Sequence, residues 1–90
     1  NFIGVKLVME IELSDMKERG LMYDFNKILQ SDAEYKVFVF QQKTEKESKK
    51  FFAKLKNSSE MYKNKVKSDF LLCCWCWETG TFLFEDFIRP

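Results

Sequence analysis

Ninety residues are enough for one domain with a single core. A composition that is 46% hydrophobic and 32% charged, with one proline and three glycines, excludes a disordered or low-complexity chain. No run approaches the roughly 20 apolar residues of a membrane-spanning helix and no signal peptide is visible, so no membrane partner is expected.

Residues 2–13 alternate in polarity as a strand does. Val5, Leu7, Met9, Ile11 and Leu13 share one face, which the pattern directs into a core. Lys6, Val8, Glu10 and Glu12 share the other. Two carboxylates on one strand face repel each other. Glu10 and Glu12 are therefore either a solvated acidic face or a pair sharing a cation, and a hard divalent ion such as Mg²⁺ takes oxygen ligands of this kind. The chain begins at Asn1, at the edge of this apolar run, as an excised or processed piece would.

Residues 14–20 are polar, end in glycine and read as a loop or a loose first turn. Leu21, Phe25, Ile28 and Leu29 recur at helical spacing, which predicts an amphipathic helix ending near Ser31. Residues 36–41 form a short run of β-branched and aromatic residues, a strand buried on both faces, with Lys36 marking its solvated end. Thr44 and Glu47 make a capping-box signature. The helix it opens carries Phe51, Phe52 and Leu55, is broken or frayed at Asn57-Ser58-Ser59, and resumes as a short piece around Met61, Tyr62 and Val66. Residues 69–78 are a second apolar strand. Thr79-Gly80 is a hairpin turn, and a last strand over residues 81–87 turns Phe82, Phe84 and Phe87 inward.

The expected architecture is a single small α/β domain over residues 1–90, with a mixed sheet in β-α-β-α-β-β order. Parallel pairing is expected in the centre and an antiparallel hairpin at the C-terminus. Right-handed crossovers would place the two helices.

Cys73, Cys74 and Cys76 crowd into one apolar strand, where neighbours face opposite ways. A disulfide framework is not expected. With no histidine in the chain, a zinc site lacks ligands. Buried free thiols point to a reducing, cytoplasmic setting. The lysine block over residues 43–67 includes Lys49, Lys50 and Lys54. It is either the wet face of a helix or a patch that attracts phosphate backbones. Trp75 and Trp77 share a strand face and suit core packing or an oligomer contact better than base stacking. Glu85 and Asp86 are adjacent, face opposite ways and make a poor metal site.

The strand with Glu10-x-Glu12, the loop, the helix bearing Tyr23-Asp24-Phe25-Asn26-Lys27 and the strand Lys36-Val37-Phe38-Val39-Phe40 together resemble the restriction-endonuclease-like (PD-(D/E)XK) superfamily. The likeness spans about residues 5–42 by motif. It implies a restriction-endonuclease-like core in which Glu10 is the metal-binding acid. Glu12 stands where lysine is usual, and Lys27 is a candidate for the displaced lysine. Asp24 would hold Lys27 as an i,i+3 pair, and Tyr23 would flank it, either touching phosphate or partly buried on the helix. The superfamily also uses an acid on a strand before this one. None of the nine residues before Glu10 is acidic.

The implied function is a metal-dependent, nuclease-like domain acting on nucleic acid phosphodiesters, degenerate or incomplete. Mg²⁺ would be its cofactor and poor or absent cleavage its activity in isolation. Bound metal would acidify a water and neutralise charge on the phosphodiester, with Glu12 or Lys27 orienting that water. The alternative is a non-catalytic interaction or oligomerisation module built on the bulky aromatic strands, which requires an exposed apolar patch near Trp75, Trp77 or Phe82.

Overall fold

Apolar residues at every second position, set between two helical repeats, assemble into one sheet with two crossover helices. The computed structural model describes residues 7–62 and 67–89. In chain order the elements are β1 (Leu7–Ile11), α1 (Glu18–Leu29), β2 (Tyr35–Gln42), α2 (Glu45–Met61), β3 (Ser68–Cys76) and β4 (Thr81–Arg89). The four strands lie in the sheet in that same order. β1, β2 and β3 are parallel, with Leu7 opposite Tyr35 and Tyr35 opposite Asp69. β4 is antiparallel to β3, with Cys76 opposite Thr81. The α/β class, the element order and the mixed sheet thus agree with the sequence pattern.

Because the strands are laid down in sequence order, two crossovers of one hand carry both helices to the same face. The core lies between that face and the helices. Leu21, Phe25 and Ile28 of α1 and Phe51, Phe52 and Leu55 of α2 close over Phe38, Phe40, Phe70 and Leu72. The rings interlock, with Phe25 5.6 Å from Phe38 and Phe70 4.9 Å from Phe87. Such aromatic pairs add to the burial energy of each ring.

This one-sided layering overturns the inward face expected of β1. Leu7, Met9, Ile11 and Leu13 are exposed, whereas Val8 and Glu10 are half-buried on the helix-covered side. Val5 and Lys6 fall outside the described residues. β2 is correspondingly buried on one face only, with Val37 and Val39 half-buried. Phe82 and Phe84 also face outward and are exposed, so of the three inward phenylalanines expected on β4 only Phe87 packs on the core.

Local chemistry explains the remaining differences. α1 starts at Glu18, one turn earlier than its apolar repeat. Gly20, the last residue of this extra turn, sits so close to Asp15 that a Cβ there would clash with the carboxylate. α2 runs unbroken through Asn57-Ser58-Ser59 to Met61, because buried Ser59 donates its hydroxyl to the Lys56 carbonyl at 2.6 Å. Tyr62 ends the helix, and the short piece expected around Val66 lies outside the described residues. At the other end the expected cap is present, with Glu47 N–H donating to Thr44 Oγ1 at 3.1 Å. β3 ends at Cys76, and Trp77 leaves the strand exposed. Gly80, at φ 66°, closes the hairpin in a conformation glycine adopts without strain.

Lys36 is not a solvated strand end. It is 1% exposed and donates its ammonium to the Leu29 carbonyl, at the end of α1, at 3.3 Å. Cys73, Cys74 and Cys76 are buried free thiols, as expected. No helix among the described residues is long and apolar enough to cross a membrane.

Candidate functional site

The β1–α1 connection leaves the carboxyl end of a parallel strand. Glu12 follows the last residue of β1 and still donates its N–H to the Val39 carbonyl at 2.8 Å, so the strand holds its backbone. Its side chain folds back onto the loop. Glu12 Oε1 accepts from Ser14 N–H at 2.8 Å, Ser14 Oγ at 2.6 Å and Asp15 N–H at 2.9 Å. Asp15 Oδ1 in turn accepts from Lys17 N–H at 2.8 Å, ahead of the first turn of α1.

The two glutamines that end β2 fasten the same loop. Gln42 donates its side-chain amide to the Met16 carbonyl at 2.9 Å, and Gln41 donates to that of Leu13. The Trp77 indole N–H donates to Gln41 Oε1 at 2.8 Å, which orients the Gln41 amide. Sequence reasoning passed over both glutamines. A polar pair closing an apolar strand was the available signal.

Asp24, on the second turn of α1, meets Glu12 side chain to side chain. The Ser14 hydroxyl and N–H, with help from Asp24 and the Asp15 N–H, hold the Glu12 carboxyl down to about 2. Burial raises the Asp24 carboxyl, and its hydrogen bond with Glu12 raises it further. Of the two, Asp24 is therefore the one that takes up a proton first as the pH falls. Lys27 lies 3.4 Å from Asp24, and that contact raises its pKa, with a smaller contribution from Glu10. The Tyr23 ring sits 4.8 Å below the Lys27 ammonium, yet Tyr23 is exposed rather than tucked into the helix flank.

Glu12, Asp24, Lys27 and Tyr23 are thus neighbours, and Glu10 stands within electrostatic reach of Lys27. Glu10 lies on β1, which ends at Ile11, and Glu12 turns its carboxylate toward the loop and Asp24. Among the described residues no three acidic, cysteine or histidine side chains come together as a cluster that could hold a metal. The Glu12–Asp24 pair offers two carboxylates. That fits Mg²⁺ retaining several waters and a phosphate oxygen, and it does not fit a closed all-protein site.

An open hollow of about 920 Å³ lies against this loop and the first turns of α1, lined by Asp15, Lys17, Glu18, Arg19, Tyr23 and Asn26 among others. Lys17 and Arg19 supply basic groups there that sequence reasoning did not single out. Of the lysine block, Lys54 bonds Glu18 at the rim of this hollow, and Lys50 acts on Glu18 through its field. Lys49 pairs with Glu45 on its own helix at 3.0 Å. No family model, curated protein or solved structure matches the chain.

Proposed function

We propose that this chain is a nuclease-like domain whose Glu12–Asp24 pair receives a divalent cation beside a nucleic acid phosphate. The carrying observation is the contact of two carboxylates at the carboxyl end of a parallel strand, flanked by Lys27. Carboxylates so placed repel each other, and a divalent cation between them relieves that repulsion. Bound Mg²⁺ supplies charge neutralisation at a phosphodiester and acidifies a water. The chain's own part is to hold the carboxylates through Ser14, Asp15, Gln41 and Gln42. Lys17, Arg19, Lys50 and Lys54 attract the phosphate backbone, and Lys27 balances the charge of Asp24. Two carboxylates bind the cation weakly, so these 90 residues alone cleave nucleic acid poorly or not at all.

Titration calorimetry of Mn²⁺ into the chain tests the reading, beside a Glu12→Gln, Asp24→Asn double variant whose fold is verified by circular dichroism. Saturable binding lost in the variant supports it. Equal heats from the two proteins leave the pair as a loop brace.

A second reading, a non-catalytic interaction module, is favoured by one observation, the apolar face of the sheet that no helix among the described residues covers.

A further inference from the structure

We propose that the uncovered sheet face docks an amphipathic helix of a partner protein, apolar along its seam and carrying lysine or arginine toward Asp69 and Asp86. The inference does not depend on any chemistry at Glu12.

Three of the four strands are parallel, and parallel sheets are ordinarily covered on both faces. Here both helices occupy one face. On the other, the strand register sets Met9 beside Val37, Leu71 and Asp86, and Ile11 beside Val39, Cys73 and Phe84. Ile11, Phe84 and Ile88 are 59%, 64% and 54% exposed. An apolar patch running across four strands is of the kind that marks a protein contact.

Charge selects the occupant. Among the described strand residues, the only charged side chains on this face are Asp69 and Asp86, diagonal neighbours on β3 and β4. They line a hollow of about 320 Å³ together with Leu7, Tyr35, Val37 and Leu71. Lys67, which precedes β3, stands near Asp69 in a separate hollow at the rim. A second copy would press an acidic apolar face against its like, with only the rim Lys67 of each chain near the four carboxylates, which is costly. A basic amphipathic helix pairs them.

The spacing also suits a helix. Same-face residues along a strand recur every ~6.7 Å, close to the ~6 Å between helix positions i and i+4, and a helix ~10 Å wide covers two strands. Asp86 and Phe82 are four residues apart on β4. That is ~13 Å, so the basic residues of the partner fall two to three turns from the bulky anchors that meet Phe82 and Trp75.

The test uses a fluorescein-labelled 14-residue helical peptide of leucine and lysine, and a counterpart with glutamate in place of each lysine. Anisotropy is followed with the wild-type chain, with Asp69→Asn, Asp86→Asn, and with Phe84→Glu. The inference expects the lysine peptide to bind, the glutamate peptide not to bind, and about a tenfold loss with the double asparagine variant. Phe84→Glu should abolish binding while the melting curve stays cooperative. Equal binding of the two peptides, or undiminished binding to the asparagine variant, overturns it. So does a wild-type dimer in sedimentation equilibrium that Phe84→Glu dissociates, since the face is then filled by a second copy.

Discussion

Glu12 and Asp24 meet side chain to side chain across the β1–α1 connection, one carboxyl held low by the loop and the other held high by burial. Their pH dependences therefore oppose. The folded pKa of Glu12 lies below its ordinary 4.5, so its contribution to stability is present above that value and is lost as the pH falls toward about 2. Asp24 is raised above its ordinary 3.8, so its contribution is present below that value and is lost as the pH rises through the raised one. Asp24→Asn keeps a hydrogen-bond donor at every pH. Melting curves between pH 4 and 7 should show the wild type losing a contribution that this variant retains.

The same pair sets the pH dependence of cation binding under the proposed function. Proton and cation compete for one place, so Mn²⁺ affinity should rise with pH until Asp24 has lost its proton and then level off. A flat profile by calorimetry would speak against a shared site.

Lys36 contributes a second titration of opposite sense. Burial lowers its pKa, partly offset by the field of Asp32. A lysine whose folded pKa is lowered destabilises the fold where it is charged, and the penalty is lost as the pH rises from the folded value to the ordinary 10.5. Chemical denaturation from pH 7 to 10 should show the wild type gaining stability relative to Lys36→Met. A constant gap between the two would refute this assignment.

Side chains on the two faces of the sheet should differ sharply in cost. Phe25 is wholly buried against Phe38 and Phe70, so Phe25→Ala should lose about 3–5 kcal/mol. Phe84→Ala, on the uncovered face, should change stability by no more than about 0.5 kcal/mol. Urea melts of both variants give the comparison directly.

Cys73 and Cys74 should be inert in the native chain, whereas Cys76, whose thiol pKa is lowered because its hydrogen bonds with Thr79 outweigh its burial, is protected by inaccessibility alone. Burial pushes the Cys74 thiol up to about 11 and raises that of Cys73, and thiolate is the reactive form. A chromogenic disulfide reagent at pH 8 should react slowly with the folded protein and count three thiols once it is denatured.

The sequence made the elements legible because periodicity is a local property. The spacing of Leu21, Phe25 and Ile28 and the run Val37-Phe38-Val39-Phe40 declare a helix and a strand without reference to anything distant. What it could not show was which apolar face would be covered. Met9 and Ile11 have the same pattern whether a helix lies over them or not, and that depends on where both crossovers pass. Burial of Lys36 was hidden for a related reason, since its partner, the Leu29 carbonyl, is a backbone group. At the candidate site the Asp24–Lys27 pair followed from helical spacing. The Glu12–Asp24 contact depends on how a loop returns, and loop geometry leaves little trace in residue type.

The sheet's pairing order also carries a kinetic consequence. β3 and β4 pair residues between 5 and 21 positions apart, whereas every β1–β2 pair spans 28 and every β2–β3 pair spans 34. Closing the shorter loops costs less entropy, so the Cys76–Thr81 hairpin can zip within microseconds while β1 waits for α1 to cross. As the five-residue edge strand, β1 is also the element with the fewest bonds to lose. Its amides should exchange with deuterium long before those of β3, through excursions that release Glu12 while the aromatic core stays intact.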